Sequence, residues 1–166
     1  MTMAKQETRL TNLLMVLACI SITWMGMELG LVQADDQSEE TSMTLSEVTE
    51  MLQPFAQSCE PVPTKDQMEE VVMNKEQPSH ESKCFRRCLL QQFDVMGEGS
   101  TKYNATKTVD MMNMMYPDKN EQSQKIVDTC NQANGITDEC EVAHTVAMCM
   151  LREMRQADYK IPDIKE

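Results

Sequence analysis

Positive charge is scarce in this chain: 15 lysines and arginines face 27 aspartates and glutamates, for a formal net charge of −12. Nucleic acid and anionic membrane surfaces are recognised through basic stripes or clusters, so neither is expected as a partner. Aromatic residues make up only 4% of the chain, and its one tryptophan, Trp24, lies in an apolar stretch near the start. A core built on large rings is thereby excluded. There are 2 histidines, His80 and His144, and no C-x2-C pair, so the knuckles of structural zinc are missing and no metal or cofactor is expected. A disulfide-rich helical phospholipase would need a Cys-Cys-x-x-His-Asp run and a glycine-rich calcium loop, and neither occurs. With every thiol paired off below, no nucleophile is left, and the chain is not expected to be an enzyme.

One long apolar run is present. Lys5 and Arg9 precede an apolar segment from Leu13 to Met27, and Val32-Gln33-Ala34 leads into Asp35 and Asp36. That is the pattern of a secretory signal peptide over residues 1–34, cut after Ala34. Glu28 and the early end of the run argue against a retained anchor. Residues 35–43 are polar and acidic and are expected to be a flexible lead-in, ahead of a single domain over 44–166. Cleavage removes Cys19 and leaves Cys59, Cys84, Cys88, Cys130, Cys140 and Cys149, an even set that reads as three disulfides in an oxidising compartment.

Cys84 and Cys88 stand at i and i+4, about 40° apart on one helical face. Thiols so placed each reach a distant cysteine, which makes their helix a hub. Around its axis Cys84, Val95, Cys88, Phe85, Met96, Leu89 and Phe93 fill one half, with Gly97 and Gly99 as the stop. Leu90 falls on the polar half and reads as singly exposed. Gln92 falls between Phe85 and Met96, where its amide needs a backbone carbonyl or a ligand oxygen.

Five other helices are expected. Thr44 and Glu47 form a capping box before Leu45, Val48, Met51, Leu52, Phe55 and Cys59, with Pro54 on the solvent face; Thr64 and Gln67 repeat the signal before Met68, Val71 and Val72. After a loop over 98–104 with no burial signal, Asn104 caps a helix carrying Val109, Met111, Met112, Met114 and Met115; Asn104-Ala105-Thr106 is also a glycosylation sequon. Asn120 opens a helix with Ile126, Val127, Cys130 and Ala133, closed by Asn134-Gly135. Asp138 and Glu141 cap the last helix, whose stripe is Cys140, Ala143, Val146, Ala147, Met150, Leu151, Met154 and Ala157. Cys149 points the other way, so this helix is fastened to two neighbours. His80 and His144 read as histidines without a task.

Seventeen methionines, five of them before Asp35, leave twelve in the mature chain. Methionine is flexible and polarizable, and suits an interior that must fit guests of several shapes. The spacing C-x24-C-x3-C-x41-C-x9-C-x8-C, with six helices and a signal peptide, resembles the insect odorant-binding protein family. The C-x3-C with the closing C-x8-C carries the resemblance, which runs from Thr44 to the end of the last helix; the 41-residue interval is long for the family.

The resemblance implies pairing of Cys59 with Cys88, Cys84 with Cys140 and Cys130 with Cys149. It further implies an all-α, compact six-helix domain stapled by three disulfides around an apolar cavity, secreted, and carrying small hydrophobic odorants or pheromones to a membrane olfactory receptor, as monomer or homodimer. By facing alone, the cavity candidates are Leu52, Phe55, Met68, Val72, Phe85, Leu89, Gln92, Met96, Met111, Met115, Val146 and Met150. Ile161 and Ile164, in a tail that Pro162 keeps from being helical, are added as a cover for the cavity mouth, fixed by ionised Asp158, Asp163 and Glu166 and loosened when these, or His144 beneath them, take a proton. A carrier in haemolymph or a gland secretion has the same physics. A saposin-like interaction domain would pair its cysteines differently.

Overall fold

The structure, a computed structural model, describes residues 42–132 and 135–165. The segment expected to be a signal peptide, most of the expected lead-in, Ala133, Asn134 and Glu166 lie outside the described residues. Among those described are six α-helices, α1 (Leu45–Ala56), α2 (Lys65–Val72), α3 (His80–Gln92), α4 (Ala105–Met115), α5 (Asn120–Cys130) and α6 (Glu139–Gln156), with a 3-10 turn at Pro117–Lys119. Two short strands, β1 (Met43–Thr44) and β2 (Ile164–Lys165), pair in parallel, Met43 opposite Ile164. Met43, expected in the flexible lead-in, is thus held by backbone hydrogen bonding that no side-chain pattern announces.

Local signals place the helix starts. Thr44 and Thr64 each close a capping box, with Glu47 and Gln67, and Asn104 and Asp138 accept from the backbone N–H groups of Lys107 and Glu141. The helix ends come earlier than the glycines suggest. Asp94, at φ 56°, turns the chain just after Gln92, so Val95 and Met96 are buried from a loop and not from α3. Likewise α5 stops at Cys130, short of Gly135.

Three disulfides join Cys59 to Cys88, Cys84 to Cys140 and Cys130 to Cys149, the pairs the resemblance implies. They tie α3 to the segment after α1 and to α6, and α6 in turn to α5. Helices α3 and α6 form the most extensive helix pair. Around Cys84–Cys140, Lys83 donates to Glu141 at 2.8 and 2.9 Å, and Arg87 pairs with Glu139.

Apolar side chains gather in two clusters. The smaller holds Ala56, Cys59, Met68, Val71 and Phe85; the larger holds Val95, Met96, Tyr103, Met112, Ile126, Val127, Val142, Val146, Met150 and Tyr159, among others. Helix α3 stands between them. Phe85, Cys88 and Leu89 serve the smaller cluster, while Leu90, expected to be exposed, packs against the larger. The inward line of α1 also differs from expectation: Met51 is 53% exposed and Thr49 is buried. Thr49 can enter because its hydroxyl donates to the Leu45 carbonyl at 2.7 Å, leaving no unmet donor. No helix among the described residues is long and apolar enough to cross a membrane.

Candidate ligand-binding core

The candidate side chains divide between the two clusters. Met68 and Phe85 are buried in the smaller cluster, with Leu52 and Leu89 partly buried there, while Val72 is buried outside both clusters. Met96, Val146 and Met150 are buried in the larger, with Met111 and Ile161 packed against it. They do not surround one common space, because α3 runs between the two groups. Phe55 is half-buried, its ring 5.3 Å from that of Phe93. Met115 is 57% exposed, since α4 ends there before Pro117 and its last turn projects beyond the cluster. Ile164 is half-buried in β2.

Gln92 is exposed, and its amide nitrogen donates to the Phe55 carbonyl at 3.0 Å, with the sulfurs of Cys88 and Cys59 at 3.3 and 3.4 Å. Its partner is therefore the chain itself.

The larger cluster is rich in methionine: Met96, Met112 and Met150 lie within it, and Met111 and Met154 pack against it. The hydroxyls within it are already committed. Tyr103, placed by the loop that was expected to carry no burial signal, is buried and donates its hydroxyl to the Ala143 carbonyl at 2.6 Å; burial pushes its phenol pKa well up. The Tyr159 and Ser123 hydroxyls lie 3.0 Å apart, and Lys119 donates to the Ala157 carbonyl at 2.9 Å. What is left to a guest is dispersion and apolar contact with flexible thioethers. Tyr103, Met112, Val142 and Tyr159 were not among the candidates; of these only Met112 had a pattern to follow, on the stripe that includes Met111.

The two histidines differ. His144, expected at a helix edge, is 7% exposed, because α6 is covered on more than one side. Its Nε2 lies 3.1 Å from the Glu76 carbonyl, an acceptor only, so Nε2 must carry the hydrogen. Burial holds its pKa below the ordinary histidine value, with Arg86 and Lys83 acting in the same direction. It faces the loop after α2 and not the tail, so a tail loosened by His144 does not follow. His80 is exposed, near Glu141, Cys84 and Cys140. The two sulfurs of that group are bonded to each other, which removes them as thiolate ligands.

Asn104 is exposed at the start of α4. Capping uses Oδ1, at 3.2 Å from the Lys107 nitrogen, and leaves Nδ2, the atom a glycan takes, outside that bond.

A profile of the PBP/GOBP family matches residues 41–153. General odorant-binding protein 19d of Drosophila melanogaster is 23% identical over 95 residues, which are 56% of this chain and 63% of that protein; the chain thus spans less than two thirds of that relative's length. Among solved structures, the odorant-binding protein dmelOBP28a from Drosophila melanogaster is similar in fold, with a TM-score of 0.52 and 21% identity over 68% of this chain and 91% of that one.

Proposed function

The chain belongs to the PBP/GOBP family, and from that premise we propose that it is a secreted carrier. It takes up small hydrophobic molecules such as odorants or pheromones and brings them through aqueous fluid to chemosensory receptors. Residues 1–34 are the leader that sends it there, and 44–166 the carrier domain. The observation that supports this reading best is the larger cluster, where five methionines sit among tyrosine and serine hydroxyls that are already paired. Such an interior rewards apolar volume and offers no chemistry. Disulfides at Cys130–Cys149 and Cys84–Cys140 hold the helices around it, so that packing given up to a guest does not unfold the domain.

Displacement of a fluorescent apolar probe tests the reading. Ligands of roughly 10–20 heavy atoms, at about 0.3–0.5 kcal/mol per atom, are expected to bind with micromolar dissociation constants. A panel of alcohols, esters, aldehydes and aromatics that shows no saturable displacement would sink the carrier reading. Delivery is tested separately, by whether the loaded protein activates receptor-bearing cells at ligand doses that fail without it.

A further inference from the structure

A surface cleft of about 720 Å³ runs between the end of α5 and the C-terminal half of α6, and none of the cavity candidates lines it. We propose that it is a second binding site, for an amphipathic carboxylate: an unbranched acid whose head sits at Arg152 and Arg155 and whose chain lies along α6 toward His144.

Three features carry this. The volume is that of a small-molecule site. The floor is apolar, made by the Cys130–Cys149 disulfide with Met148 and Leu151. The charge is asymmetric along the cleft. Arg152 and Arg155 stand at i and i+3 on one face, while His144 and Glu76 close the other end, eight residues or about 12 Å up the axis from Arg152.

These two arginines stand out in a chain of net charge −12. The other two among the described residues are committed: Arg86 donates to the Val71 carbonyl and to Asn74, and Arg87 pairs with Glu139. Arg155 has no side-chain partner among the described residues. Arg152 has only Glu153, at 3.5 Å, on a side chain 63% exposed, a contact that a bidentate carboxylate displaces. Glu76 at the far end repels the head and so fixes its direction. The site differs from the carrier interior in both lining and ligand charge, although the Cys130–Cys149 disulfide forms a wall of each.

Methyl NMR on the disulfide-bonded protein with labelled methionines separates the two sites, because Met148 reports the cleft and Met96 and Met112 the interior. The probes are dodecanoate, below its micelle-forming concentration, and 1-dodecanol as its uncharged counterpart. Dodecanoate should shift the Met148 methyl saturably, with a dissociation constant about tenfold or more higher in R152Q/R155Q, and dodecanol should shift it far less. Thr145 is exposed on the cleft wall, so T145E folds and should also weaken dodecanoate there. The proposal is overturned if dodecanoate moves only Met96 and Met112, or if Met148 responds alike to both probes or alike in the variants. Failure of the interior to bind anything leaves the Met148 readout intact, so the two readings fall separately.

Discussion

Asn131 holds both backbone groups of Tyr103: its Oδ1 accepts from the Tyr103 nitrogen at 2.8 Å and its Nδ2 donates to the Tyr103 carbonyl at 2.7 Å. One side-chain amide thus stands in for a strand neighbour and fastens the loop between α3 and α4 to the C-terminus of α5. Asn131→Ala leaves both groups without a partner, at about 1–3 kcal/mol for each one that stays dry. Chemical denaturation with disulfides intact should show a loss of about 2 kcal/mol, while Asn131→Asp keeps the acceptor and should lose less. Equal stability of all three proteins would show that water replaces the amide at no cost.

Cys84–Cys140 should matter most among the disulfides. It closes a 56-residue separation, against 29 for Cys59–Cys88 and 19 for Cys130–Cys149. In the chain-entropy model the cost grows with the loop, to about 4 kcal/mol here, an upper figure since partly structured unfolded chains reduce it. The bond also sits between the Lys83–Glu141 and Arg87–Glu139 pairs, which lose their alignment when α3 and α6 part. Replacing each cystine by a serine pair and comparing denaturation midpoints checks the ranking; a larger loss from the Cys130–Cys149 pair would mean that local packing outweighs loop entropy.

How far these features could be read beforehand depends on how local they are. The helix starts at Thr44, Thr64, Asn104 and Asp138 were legible because a cap involves four consecutive residues. The hub role of α3 was legible too, since Cys84 and Cys88 share one turn. Burial of Val142 and His144 was not, because a single apolar stripe describes a helix covered on one side and α6 is covered on more. Tyr103 lay in a polar loop, and its burial depends on Ala143 and Asn131, 40 and 28 residues away. For the candidate site, facing identified inward side chains such as Met68, Met96 and Val146. It could not tell which of them meet, since that is decided by how α3 divides the interior.

Two titrating groups hold the loop between α2 and α3, and they fail at different pH. Glu70 accepts from Lys75, from the Ser82 hydroxyl and from the Ser79 nitrogen and hydroxyl, and these bonds, that of Lys75 foremost, bring its pKa down to about 2. A carboxylate lowered on folding stabilises above its unfolded value near 4.5, and the effect is lost as pH falls through about 2. Glu70→Gln should therefore cost about 1–2 kcal/mol at pH 7, allowing for solvent screening of the exposed Lys75, with the gap closing between pH 4.5 and 2. His144 acts earlier. Its pKa is also lowered on folding, so the stability it contributes is present above about 6.5 and declines below that as the unfolded chain takes up the proton first. Burial is the main cause; the bond to the Glu76 carbonyl and, less, Glu141 oppose the shift, while Arg86 and Lys83 reinforce it. Between pH 7 and 5, the protection of residues 73–79 against hydrogen exchange, taken relative to the intrinsic rate at each pH, should fall in the native protein and change less in His144→Gln; protection that stays flat in both would remove His144 as the cause.

The tail supplies the last test. Tyr159 is buried against Ser123 and edge-on to Tyr116 at 4.9 Å, so the chain is anchored up to that point. Beyond it Ile161 packs on the larger cluster and Ile164 pairs with Met43, while Pro162 and Asp163 are exposed. Removing residues 160–166 thus uncovers part of the cluster and releases Met43 without disturbing the Tyr159 anchor. If the tail covers the entry to that interior, the truncated protein should release a bound apolar probe several-fold faster at pH 7, with its association rate changed in the same direction. Ile161→Ser should give part of the effect, since it loosens the cover and keeps the Met43–Ile164 pairing. The titration of His144 should leave the tail's effect unaltered, because that side chain faces Glu76 and not residues 159–165. Release from the truncated protein at the intact rate would retire the tail as a cover and leave it a tie between the two ends of the domain.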